Sequence, residues 1–123
     1  LLDSDPARVR DAFATIDSAT RDGRAALLRG DGAAFVPIVR RAEAALETIG
    51  VVPGGVLDAI RAIEAEGGAA KLSGAGGLTG AGAGLVLVAH PDPEWHERFA
   101  PPAGWTAHHV RLGAEGLRKE IAA

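Results

Sequence analysis

Three segments in the first half of the chain carry apolar residues at helical spacing. The first begins at Asp5-Pro6, a typical helix start because Asp caps free N–H groups and Pro fits the first turn. Each segment is followed by glycine, which commonly ends a helix by taking positive φ. The pattern therefore predicts three helices. They run from Asp5-Pro6 to Gly30, from Asp31 to Gly50, and from about Gly54 to Glu66.

Two residues disturb these helical patterns. Gly23 interrupts the first, and Pro37 falls inside the apolar stripe of the second. Since proline lacks an N–H group and clashes with the preceding turn, we expect the second helix to begin late or to be kinked.

The second half of the chain has shorter apolar runs. Residues 69–73 and 85–90 read as buried strands that pair as an antiparallel hairpin, and residues 106–112 alternate as a half-exposed strand. Short helices are expected over 94–99 and 114–121. The order predicts an α+β fold, with a small antiparallel sheet that has helices packed on one face.

Composition narrows the class of protein. The 123 residues predict a single domain, and the hydrophobic share of 47% is mainly aliphatic. The net charge of −3 comes without a basic run, so we expect no nucleic-acid partner, and no apolar stretch predicts a membrane span. The chain has no cysteine, so thiolate chemistry and disulfides are excluded, and a cytoplasmic location is the default. It also has no methionine, so we expect either a processed N-terminus or the C-terminal piece of a longer protein.

The segment from Lys71 to Gly84 holds six glycines between the two predicted strands. Such a cluster is costly, and its usual reason is that the backbone must take positive φ or must let another group, most commonly a phosphate, approach its N–H groups. The segment lacks the G-x-x-x-x-G-K-[ST] pattern, and Thr79 stands where a dinucleotide fingerprint needs glycine. An anion-binding loop with the hydroxyls of Ser73 and Thr79 remains, as does a flexible hairpin or a point where another backbone packs closely.

Three stretches together resemble the C-terminal domain of the GHMP kinases, most closely the mevalonate and phosphomevalonate kinases. They are Leu46–Pro53, then Leu57-Asp58, then Gly67–Gly77 with its Gly-Ala-Ala-Lys-Leu-Ser-Gly-Ala-Gly-Gly run. The resemblance covers roughly residues 30–112. It implies a ferredoxin-like C-terminal domain and ATP-dependent phosphorylation, with Mg²⁺, of a small alcohol or phosphate. Mevalonate and phosphomevalonate are the expected acceptors by the resemblance, but the sequence does not fix the substrate.

By the same resemblance, one part of the glycine-rich segment approaches the phosphates of ATP or of the acceptor. Its residues are Ser73, Gly74, Ala75, Gly76 and Gly77. The chain departs from the family from Leu78 to Ala83, where its loop is longer. It also lacks the family's N-terminal domain, which carries a Gly-Leu-Gly-Ser-Ser loop and the catalytic Asp and Lys. The chain alone is therefore expected to be inactive. That domain is the expected partner, and without it we expect an exposed apolar surface or self-association.

Other chemistry-bearing residues have plainer interpretations. Lys71 either steadies a phosphate or is a strand-edge lysine in solvent. His108-His109 should point to opposite faces of a strand, so no metal site is expected. His90 and His96 read as surface or packing residues. The aromatic residues are expected to cover one end of the sheet, and the remaining charged residues to lie on solvated helix faces. The first set is Trp95, Phe99 and Trp105; the second is Arg40, Arg41 and Arg61. The similar kinases often carry an acid at the position of Asp58, which could equally be a surface residue.

An alternative from another class stays open. The chain is then a non-catalytic α+β module that binds an anionic ligand or a partner chain. A reading frame that continues upstream of Leu1 with a Gly-Leu-Gly-Ser-Ser motif would favour the kinase. An initiator codon directly before Leu1 would favour the module or a two-chain enzyme.

Overall fold

The computed structural model describes residues 5–73 and 84–110, and the chain forms two compact units, residues 1–93 and 94–123. The described part of the first unit contains three helices, α1 (Pro6–Leu28), α2 (Gly32–Thr48) and α3 (Gly54–Ala65). Two strands follow, β1 (Ala69–Ser73) and β2 (Leu85–Ala89). The three predicted helices and the two predicted strands around the glycine-rich segment are confirmed. The expectation that both strands are buried is wrong for β2, whose residues are half-buried or exposed, because hydrophobic composition alone does not place a helix over a strand.

The ends of the helices follow the sequence signals. The Asp5 carboxylate caps α1 by accepting from the Arg8 N–H, and the Asp31 carboxylate caps α2 by accepting from the Ala34 N–H. All three helices end in a glycine with positive φ, at 69°, 76° and 90° for Gly30, Gly50 and Gly67. The following N–H reaches back five residues in each case, as from Gly68 to the Ile63 carbonyl at 3.1 Å.

Helix α1 continues through Gly23, and α2 continues through Pro37. Gly23 is buried where α1 crosses α2, because a Cβ there would lie 3.4 Å from the Phe35 ring and 3.5 Å from Ile38. The expected late start of α2 is wrong, since the helix begins at Gly32. Pro37 is exposed and close to the first turn, so its missing N–H removes one intrahelical hydrogen bond and no more.

The two strands form an antiparallel hairpin whose register runs from Ala69 opposite Ala89 to Ser73 opposite Leu85. Helix α1 packs on α2, α2 contacts both strands, and α3 contacts β1. The predicted α+β class is therefore confirmed, with a two-stranded antiparallel sheet in the described residues.

The core is aliphatic, as the composition predicts. Ile60 and Val56 of α3 are fully buried, and Val36 and Val39 of α2 pack around Ala69 of β1. Among the described helices, none combines the length and the apolar character that crossing a membrane requires.

The described part of the second unit differs from the prediction. The expected helix over 94–99 is only a 3₁₀ turn, Trp95–Glu97. Residues 106–110 form no strand, and all five are exposed. Alternation predicts a strand only where a neighbouring strand pairs with it and one face is buried, and neither condition is met there. Residues 111–112 and the predicted helix over 114–121 lie outside the described residues.

Aromatic rings pack within this second unit. Trp95 is buried and stacks on Phe99 with 4.5 Å between ring centroids, and Trp105 is half-buried. His109 stacks on His96 at 3.8 Å rather than standing opposite His108 in a strand. The geometric reason for expecting no metal at His108-His109 is therefore wrong.

Candidate functional site

The candidate site begins at the end of the hairpin where β1 leads into the glycine-rich segment. Ser73 is the last residue of β1 and is paired with Leu85, the first of β2. The connection between them therefore starts and finishes at one end of the hairpin. Of the predicted site residues, Lys71 and Ser73 are described. The others, Gly74, Ala75, Gly76, Gly77 and Thr79, lie outside the described residues.

Lys71 and Ser73 are brought together at this end of β1. Their side chains share one face of the strand because they are two residues apart. The Lys71 Nζ donates to the Leu72 carbonyl at 2.8 Å and lies 3.4 Å from the Ser73 Oγ. Lys71 is half-buried, so its ammonium is held at the strand and is not extended into solvent.

The outer edge of β1 is occupied by side chains of α2. The Leu72 N–H donates to the Glu43 Oε1 at 2.8 Å, so this N–H points away from β2. One turn earlier on α2, the Arg40 guanidinium donates to the Gly68 carbonyl just before β1, at 2.6 and 2.9 Å. Since Arg40 and Glu43 are three residues apart, they project from the same face of the helix. Helix α2 thus supplies both a donor and an acceptor to the strand edge.

Glu43 is the buried ionisable side chain of this region. Glu43 is 0% exposed, and its Oε2 has no hydrogen-bond donor among the described residues. Burial raises the pKa of the Glu43 carboxyl to about 7, while the Leu72 N–H and Lys71 oppose that rise and the nearby Glu47 carboxylate adds to it. Two carboxylates cannot hydrogen-bond each other, whereas a protonated Glu43 can donate to Glu47. Near neutral pH, the buried carboxyl is therefore close to its point of half-protonation.

Glu47 extends this arrangement to α3. Its carboxylate pairs with the Arg61 guanidinium, which also bonds the Glu64 carboxylate at 3.0 and 3.1 Å. Arg61 is half exposed, so these pairs contribute little individually. The Arg61–Glu47 pair connects α3 to α2, whereas the Arg61–Glu64 pair lies within α3.

The three arginines expected on solvated faces therefore have defined partners. Arg40 binds backbone carbonyls, Arg41 pairs with Asp22 of α1 at 2.6 Å, and Arg61 joins α3 to α2. All three are exposed helical residues, as predicted, and each guanidinium also reaches across to a neighbouring element. Asp58 is exposed, as expected.

His90 has contacts on both ring nitrogens. Its Nδ1 accepts from the Asp92 N–H at 3.0 Å, so its Nε2 carries the proton that it donates to the Glu66 carbonyl at 2.8 Å. His90 thereby ties the end of β2 to the end of α3, in agreement with its expected packing role.

Glu43 and Arg40 are the residues that sequence reasoning missed at this site. The signal for Glu43 was present, since it falls on the apolar stripe of α2, one turn after Val39. A carboxylate on a buried helical stripe indicates a buried polar partner. No comparable signal marks Arg40, because its partner is a backbone carbonyl far along the chain.

In the described ranges, no group of three or more His, Asp or Glu residues is placed to hold a metal ion. No family model, curated protein or solved structure matches this chain significantly.

Proposed function

We propose that this chain supplies the phosphate-facing half of a GHMP-type small-molecule kinase that acts on mevalonate or phosphomevalonate. The observation that carries the proposal is the contact of the Lys71 ammonium with the Ser73 hydroxyl at the strand end that enters the glycine-rich segment. A cation and a hydroxyl donor at the base of such a segment suit a phosphate oxygen.

The anchoring of β1 supports this role. Phosphoryl transfer depends mainly on positioning and on stabilising negative charge, so its donors must be held in place. Arg40 and Glu43 fix the edge of β1 on either side of Lys71, at Gly68 and at Leu72. Lys71 and Ser73 therefore lie on a strand whose outer edge is hydrogen-bonded to α2.

The described residues support binding of the phosphates of ATP but not binding of Mg²⁺. The described residues fit an anionic group, because Lys71 and Ser73 offer donors. They offer no acidic cluster for Mg²⁺, so the ligands for the metal, together with the loop that holds ATP, would come from the N-terminal domain that the resemblance implies. ATP supplies the phosphoryl group when bound.

Phosphate binding by the 123-residue chain is the first test. We expect titration with Mg·ATP and with pyrophosphate, followed by ³¹P NMR, to show weak binding that Lys71→Gln reduces about tenfold, the value of one charge-assisted hydrogen bond. Arg21→Gln is the matched control, since Arg21 is an exposed cation on α1. Equal loss in both variants would mean that only net charge matters, and the proposal would then fail.

The glycine-rich segment is tested separately with Gly76→Val, which should weaken binding by blocking backbone approach. Gly32→Val is its control, because a Cβ at Gly32 meets nothing within 4 Å. Phosphoryl transfer is then measured as ADP release from a polypeptide that joins this chain to a domain carrying the Gly-Leu-Gly-Ser-Ser loop. Binding without turnover on either acceptor would favour the non-catalytic anion-binding module.

A further inference from the structure

A second candidate site lies in the first unit, in a groove between α1 and α2. Its volume is about 490 Å³, within the range of small-molecule sites. Gly23 and Leu27 of α1 and Phe35 of α2 contribute to its walls, and Lys71 and Leu87 of the hairpin line it as well. The groove thus faces the sheet on the same side as the Lys71 side chain.

The groove is largely apolar but incompletely covered. Leu27 and Leu28 remain 47% and 72% exposed at the end of α1, and Phe35 and Leu87 are half-buried. Single exposed apolar residues need no explanation, but several around one groove of this size are typical of a binding site.

The charged residues that line the groove have one sign. They are Arg24 and Lys71, and no carboxylate is among the lining residues. In the described part of the chain, Lys71 makes no ion pair. Its ammonium has three protons, and among the described residues it contacts two acceptors, the Leu72 carbonyl and the Ser73 hydroxyl. Within that part of the chain, one proton is left for an anionic ligand.

We propose that this groove binds an aliphatic carboxylate, with its chain against the apolar walls and its head at Lys71. A bare phosphate would leave the apolar walls uncovered, and a neutral hydrocarbon would bring no negative charge to the two cations that line the groove. An amphiphile with one negative head matches both features. This site goes beyond the proposed phosphate loop and does not depend on it, although Lys71 borders both.

The probes are hexanoate, octanoate and decanoate, titrated into the 123-residue chain and followed by ¹H–¹⁵N NMR. Affinity should rise with chain length, by up to about fourfold for each methylene that becomes buried. Octylammonium should bind at least about tenfold more weakly than octanoate, because its head has the sign of Arg24 and Lys71. Equal affinity for the two heads would overturn the proposal.

Two pairs of matched variants locate the site. Leu27→Gln should reduce octanoate binding about fivefold or more, whereas Phe13→Gln should not, since Phe13 is exposed to a similar extent (52%) on the same helix but does not line the groove. Arg24→Gln should weaken binding and Arg21→Gln should not, because only Arg24 lines the groove. Far-UV circular dichroism checks that each variant is folded. Equal effects within either pair would contradict the assignment.

Two further outcomes separate this site from its alternatives. If Leu27→Gln weakens octanoate binding but leaves Mg·ATP binding intact, the apolar walls serve the groove alone. The two proposals share Lys71 but can then be judged separately, and failure of one leaves the other standing. If sedimentation shows a dimer that Leu27→Gln dissociates and octanoate does not, a second copy of the chain covers the groove and the proposal is wrong.

Discussion

The two strands of the hairpin are equally long and paired residue by residue, yet the more hydrophobic one is the more exposed. β2 reads Leu-Val-Leu-Val-Ala, but Leu85 is 65% exposed and Val88 is 36% exposed. β1 reads Ala-Ala-Lys-Leu-Ser, and three of its five residues are buried. The difference arises because both α2 and α3 contact β1 and only α2 contacts β2 among the main packing pairs. Burial here follows the position of the helices rather than the hydrophobicity of the strand.

The largest expected effect compares one leucine from each strand. Leu72→Ala should lower the free energy of unfolding by about 2–4 kcal/mol, because it removes buried methyl groups from under the helices. Leu85→Ala, a chemically identical change, should cost less than about 1 kcal/mol since its side chain is already exposed. Urea unfolding followed by circular dichroism measures both. Similar losses of unfolding free energy in the two variants would contradict the claim that β1 is the better buried strand.

The next effect depends on pH and concerns the edge of β1. The folded-state pKa of Glu43, about 7, lies above its ordinary value of 4.5, so between those two values the folded state binds more protons than the unfolded state. Stability from this group is present below pH 4.5 and is lost as pH rises towards 7. Glu43→Gln keeps an acceptor for Leu72 and a donor for Glu47, so at pH 8 it should be about 1–3 kcal/mol more stable than the wild type.

The difference in the free energy of unfolding between Glu43→Gln and the wild type should disappear near pH 4. Asp58→Asn is the control, because it removes the carboxylate of an exposed acid on α3 without touching the edge of β1. Urea unfolding curves of the wild type and both variants, at four pH values between 4 and 8, measure these differences. A pH-independent difference at Glu43 would mean that the carboxyl is ionised throughout.

The smallest effect concerns the other end of the same edge. Arg40→Met should cost about 1–2 kcal/mol, because the Gly68 and Glu64 carbonyls lose a charged donor. Arg21→Met, at a solvent-exposed pair on α1, should stay within about 0.5 kcal/mol of the wild type. Thermal unfolding of both variants sharpens the claim that α2 holds β1 by its edge. Equal melting temperatures for the two variants would contradict it.

Local signals were sufficient to predict the helices and the hairpin. Asp5, Asp31, Gly30 and Gly50 act within one turn of their own position, so the sequence shows what they do. The same is true of Lys71 and Ser73, whose contact follows from their spacing in a strand. These parts required no knowledge of which elements meet.

Features that depend on distant contacts could not be predicted. Burial among neighbouring elements raises the pKa of Glu43, whose hydrogen-bond partner Leu72 lies 29 residues later, and the partner of Arg40, Gly68, lies 28 residues later. The residues from Thr106 to Val110 alternate like a strand but are all exposed, and alternation alone does not pair a strand. The spacing of apolar residues and the composition predict the type of an element. Contacts with neighbouring elements determine whether it forms and which partners its charged side chains have.

The position of α2 beside β1 also limits how this sheet can grow. A strand from another molecule that added to β1 would have to displace both Arg40 and Glu43 from the backbone groups they occupy. Cross-molecular strand exchange on that side therefore requires α2 to detach first. While α2 is in place, it blocks the addition of a strand from another molecule at this edge of the sheet.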